Sequence, residues 1–194
     1  MKYRKTAGAL VMVACVVGVA STSATASQPQ AVSAAVQASS ADEDFVMMMI
    51  PHHFQAIVMS EMAATRSNNQ TLRALASRID VEQDLEITMM QNWQGWNGLE
   101  VTDAEAAYQE MLQDPMMLHH MGMATPAELN ALSASSGAAF DQMYLELMIR
   151  HHQGAIDMIV DVLINGSDFI LQQWANDMGV AQETQIAQMQ AMLS

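Results

Sequence analysis

Cysteine is nearly missing from this chain: Cys15 stands alone among 194 residues, so a disulfide framework and a thiolate metal cage are both excluded. Cations are scarce too, seven Lys and Arg against 21 Asp and Glu, and the resulting charge of −14 repels phosphate backbones and anionic lipid. Nucleic-acid binding is therefore not expected. Aromatic residues make up only 5%, and no run of β-branched alternation marks a sheet. No DxDxDG-type loop offers oxygen ligands to calcium, and no C-x-x-C or H-x-x-x-H offers a closed site to zinc. What the chain has in excess is 20 Met and six His. Thioether and imidazole are its abundant soft donors.

The first residues read as an export signal. Three cations fall in residues 2–5, residues 7–20 are uncharged and mostly apolar, and Ala24-Thr25-Ala26 has the small-x-small form of a cleavage site. Fourteen residues are too few to span a bilayer as a helix, for which roughly 20 are needed. Cleavage after Ala26 would leave 168 residues, no cysteine and a charge of −17. Cys15 lies in a poor lipidation context, because the apolar run continues past it. Residues 27–41 are small and polar and read as a flexible leader, so the folded domain is expected over 42–194 in a periplasmic or secreted protein without a membrane span.

An internal duplication sets the architecture. Residues 45–93 align without a gap on residues 144–192 at an offset of 99, with 14 of 49 positions identical, among them Met49/Met148, His52/His151, His53/His152 and Met59/Met158. In each copy the apolar residues step by four and three, as on one face of a helix: Phe45, Met49, His52, Ala56, Met59 and Tyr144, Met148, His151, Ala155, Met158. Ser67-Asn68-Asn69 and Asn165-Gly166-Ser167 break the two patterns at matching places, so each copy is expected to be a helical hairpin. The predicted fold is all-α, a ferritin-like four-helix bundle with a long crossover over 98–136. Short helices are expected in the crossover, starting at Thr102 with Glu105 and at Thr125-Pro126 with Glu128.

The histidines come as three adjacent pairs, His52-His53, His119-His120 and His151-His152. Neighbours on a helix point about 100° apart, so each ring is free to pair with donors three, four or seven residues away. Met48 and Met59 share a face with His52, Met49 and Met148 precede His53 and His152 by one turn, and Met158 follows His151 by two. Read alone, such a stripe fits core packing as well as ligation; duplication favours a shared site, because two hairpins related by a pseudo-two-fold axis aim their histidines at one region. Residues 115–123, PMMLHHMGM, gather Met116, Met117, His119, His120, Met121 and Met123, with Pro115 and Gly122 favouring irregular backbone. A hydrophobic plug over the bundle end is the competing reading of this segment.

Donor softness selects the cargo. Thioether prefers Cu(I), and Ag(I) as its mimic, while imidazole also accepts Cu(II). Neutral imidazole is the ligand form, so binding at the histidine pairs is expected to weaken as pH falls through about 6.5. No catalytic constellation is visible: Glu-x-x-His, the di-iron motif of ferritin-like oxidases, is missing, as is G-x-S-x-G, and the chain is expected not to be an enzyme.

FVMMMIPHHFQAIVM at 45–59, HMGMATPAEL at 120–129 and FDQMYLELMIRHHQGAIDM at 140–158 resemble the domain of unknown function 305 family, whose HH-x-x-A-I-x-M motif occurs here twice. The resemblance implies a ferritin-like fold and, from the family's best understood exported type, binding of copper and silver through Met and His in support of copper resistance. The motif positions are His52, His53, Met59, His151, His152 and Met158, joined by His119, His120, Met121 and Met123 in the crossover. Phe54 stands where a polar residue is more usual after the histidine pair. It leaves the ligands in place and bears on access to them.

The leading expectation is an exported protein that sequesters copper. Two others stand beside it: an interaction bundle that grips partner proteins with a Met-rich surface, and a carrier that hands copper to an exported enzyme or pump.

Overall fold

The computed structural model describes residues 38–194, all of whose regular structure is helical. The expected signal segment, the lipidation question at Cys15 and most of the leader lie outside the described residues. Helix α1 (Ser40–Arg66) starts on a capping box in which Ser39 and Asp42 satisfy each other's end of the first turn. Asp42 and Glu43 meet the positive end of its dipole and Arg66 the negative end. Asn69 caps α2 (Gln70–Trp96), and Asp168 caps α7 (Phe169–Leu193) after α6 (Ala138–Asn165). The turns therefore fall where the duplication places them, each copy closing as an antiparallel hairpin.

The hairpins pack through α1 and α6, which run antiparallel. Asp42, at the start of α1, accepts hydrogen bonds from Ser167 N, Ser167 Oγ and Asp168 N at the α6–α7 turn. At the other end, Gly137 N, just before α6, donates to Arg66 O at 2.7 Å. Burial alone would raise the Asp42 carboxyl, but the bonds from Ser167 and Ser39 outweigh it and hold its pKa below the ordinary value. Fully buried Val46, Ile50, Leu72, Ile79, Trp93, Phe140 and Leu171 fill the bundle.

The crossover must travel the length of the bundle, because α2 ends where α1 begins and α6 begins where α1 ends. It does so as three short helices: α3 (Ala104–Met111), α4 (Pro115–His120) and α5 (Pro126–Ala134). The capping box of Thr125 and Glu128 forms as expected. The first start differs: Asp103 caps α3, and Thr102 is drawn off to Gln94, with N–H to Gln94 Oε1 and hydroxyl accepting from Gln94 Nε2, both at 2.8 Å. Residues 115–120 also differ, being helical rather than irregular. Pro115 occupies the first turn, where no N–H is needed, Asp114 accepts from the N–H groups of Met116 and Met117, and Gly122 at φ +66° ends the helix.

Candidate metal centre

The two duplicated histidine pairs meet at the crossing of α1 and α6. His52 and His151 face each other with ring centroids 3.7 Å apart, and His53 and His152 flank them at 6.3 and 6.1 Å. All four are fully buried, as are Met49 and Met148, one turn before His53 and His152. Duplication thus places imidazole and thioether in a dry interior.

Their hydrogen bonds define which nitrogen is available. His52 Nε2 donates to Met121 O at 3.1 Å, and His151 Nε2 to His52 O at 2.9 Å. His53 Nε2 donates to Glu86 Oε2 at 2.7 Å. His152 Nε2 donates to Gln185 Oε1 at 2.6 Å, and Gln185 Nε2 in turn donates to Glu82, which fixes the amide's orientation. Carbonyl and carboxylate oxygens only accept, so each ring carries its proton on Nε2. The four Nδ1 atoms are buried without a hydrogen-bond partner. A bare lone pair on one ring nitrogen with an oxygen acceptor on the other is how a metal-ligating histidine is held.

The interior also favours the neutral form of His52, His151 and His152. Desolvation first, then the neighbouring His53, pushes the pKa of His52 well below its ordinary value; desolvation and then His52 do the same to His151. His152 is lowered by desolvation to about 4, the Gln185 bond opposing part of that effect. The acid threshold expected near pH 6.5 therefore moves down for these three: protonation competes for Nδ1 only in more strongly acid solution.

The crossover forms the roof over this centre. Met121 and Gly122 lie against α6 so closely that a Cβ on Gly154 would collide with the Met121 carbonyl, and one on Gly122 with the Arg150 carbonyl. Arg150 fastens the segment, giving both oxygens of Glu128 a bond of 2.8 Å and reaching the carbonyls of Gly122 and Met123. That fork first, with the Thr125 bonds, outweighs burial and draws the Glu128 pKa down to about 2.

Outside the roof is a cleft of about 530 Å³ that brings Met48, His120, Met121 and Met158 together with Asp44, Asp157 and Asp161. Met121 belongs to both places: it lines the cleft, and its carbonyl holds His52. The other expected residues scatter. Met59 and Met123 are buried among apolar neighbours, as packing requires, Met117 is half-buried against the core, and Met116 (83% exposed) and His119 face solvent. The 115–123 segment is thus plug and donor cluster at once, its inner side chains packed and its outer ones in water. Among the described residues no three His, Cys, Asp or Glu converge on one point, so an ion held here draws on sulfur or on few nitrogens.

Sequence reasoning missed Glu82, Glu86 and Gln185. The signal was available, since Glu86 and Gln185 stand at the same offset of 99 as the histidines they hold; a search for identities alone passes over a Glu/Gln pair.

Residues 42–193 match the model of the family described as "Domain of unknown function (DUF305)". None of the curated proteins compared with the chain matches it. Among solved structures, a DUF305 fragment from Deinococcus radiodurans is 29% identical with a TM-score of 0.71, over 80% of this chain and 97% of that one. A DUF305 protein of Streptomyces coelicolor is 28% identical, TM-score 0.68, over 79% and 91%. CopM in its Cu(II)-bound form is 32% identical, TM-score 0.66, over 78% and 94%, and it is also solved with Cu(I) and with Ag.

Proposed function

We propose, for a chain that belongs to the DUF305 family, that it is an exported, non-enzymatic copper-binding protein that takes up Cu(I), with Ag(I) as a mimic and Cu(II) as a weaker cargo, and lowers the free ion around the cell. The observation that carries this reading is the set of four buried imidazoles, each with Nε2–H engaged and Nδ1 bare. Unpartnered buried nitrogens cost stability, which a soft ion would repay. Copper-bound CopM, similar over most of this chain, supports the same cargo.

Of His52, His53, His151 and His152, at most two imidazoles would share one ion, with the thioethers of Met49 and Met148 supplying the remaining ligands. Glu86, Gln185 and the Met121 and His52 carbonyls orient the rings. The anionic cleft, with Met48, His120 and Met158, gathers cations at the surface, and Met121 separates it from the interior. Exposed Met116 and His119, beside His120, favour the carrier role as a second reading, in which the cleft is where copper is passed on.

Cu(I) titration against a competing chelator tests the proposal. Native protein is expected to bind with high affinity, and H52N/H151N to lose at least tenfold in affinity while remaining helical by circular dichroism. Equal binding by folded native and variant protein would remove the histidine centre from the account.

A further inference from the structure

A second group of thioethers lines a cleft without histidine, and of these only Met48 is shared with the cleft of His120 and Met158. Met47 and Met48 of α1, Met111 of α3 and Met117 of α4 line one cleft of about 440 Å³, with Glu110 and Asp114 in its wall and no imidazole among the lining residues. Neither Met47 nor Met111 is among the metal ligands expected from the sequence.

Packing explains these residues incompletely. Met48, Met111 and Met117 rest against the core, but Met47 is 52% exposed beside an open cleft, where a shorter or polar residue would cost nothing. Four flexible thioethers from three separate helices surround a space larger than an ion, and each side chain has enough torsional freedom to turn its sulfur inward. Neutral sulfur leaves the charge of a bound cation uncompensated; Glu110 and Asp114 supply the opposite sign within the same wall.

We infer that this cleft is a second, thioether-only site for a soft monovalent ion, of the Cu(I) and Ag(I) class, independent of the histidine centre. It shares the soft-ion chemistry of the function proposed above and adds a site to it. Oxygen-preferring cations such as Mg²⁺ and Ca²⁺ are refused, because sulfur is a poor ligand for them. Without imidazole among its donors, the site loses nothing to histidine protonation.

The test is Ag(I) titration of the whole protein carrying ¹³C-methyl methionine, followed by NMR, with silver nitrate in chloride-free buffer. Expected are shifts of the Met47, Met111 and Met117 methyl signals, unaltered by excess Mg²⁺, and a loss of one Ag(I) per chain in M47L/M111L/M117L, whose volume changes little. If the Met49 and Met148 signals move while those three stay fixed, the second site is overturned and the histidine centre survives. The reverse pattern supports this site and removes the other. No shift at any methionine overturns both. Because the native chain alone answers the question, misfolding of the variant does not obscure it.

Discussion

Acidifying the metal-free protein from pH 7 to pH 5 is expected to destabilise it. His152 has a folded pKa of about 4 against an ordinary 6.5, so between these values the unfolded chain takes up a proton that the folded chain refuses. Stability from this group is complete above 6.5, falls as pH drops through that value, and stops falling below about 4. Integrated to pH 5, the loss is roughly 2 kcal/mol from His152 alone. His52 and His151 are depressed by the same desolvation and add in the same direction. Carboxylates do not confuse the window: the contributions of Asp42 and Glu128 are lost only as pH falls below about 4.5 toward their lowered pKa values. Asp80, raised by burial and then by Asp84, acts in the opposite sense near the same acid range. Urea denaturation midpoints at pH 7, 6 and 5, with copper chelated, measure the slope. A midpoint that is constant or rises toward pH 5 would refute buried neutral imidazoles.

Gly154→Ala places a methyl group against the Met121 carbonyl, and a loss of about 1–3 kcal/mol is expected in urea denaturation, with weaker Cu(I) binding as the roof lifts. Asp42→Asn removes the charge from a carboxylate that ties both hairpins together; a loss of about 1–3 kcal/mol should appear as a lower thermal midpoint, and an unchanged one counts against the tie. Arg150→Ala should return the Glu128 pKa from about 2 toward the usual carboxylate range, read by NMR titration. Since Arg150 and Glu128 are partly exposed, the accompanying loss of stability should be only about 1 kcal/mol, while amide exchange at residues 121–124 speeds up.

The long helices and their turns were legible because duplication repeats the evidence: a stripe that is ambiguous once is informative when it recurs with Met49 over Met148 and His52 over His151. The crossover was less so. Pro115 reads as a breaker or as a starter depending on whether a cap precedes it, and Asp114 decided the matter. The histidines were visible, but not the acid threshold that burial sets, since exclusion from water follows from the assembled bundle. Nor could periodicity sort 115–123 into inward Met121 and outward Met116, because that division depends on which side of the segment meets α6.

The acceptors of the four imidazoles fall into two kinds. His52 and His151 lean on main-chain oxygens of Met121 and His52, which survive almost any point mutation, so the tautomers of the inner rings are genetically insured. His53 and His152 lean on side chains, Glu86 in one half and Gln185 in the other. A single codon change there alters how strongly the ring donates electrons without touching the ring itself. If the proposed function holds, descendants of this duplicated gene can retune their grip on a metal from the periphery while the inner pair stays fixed.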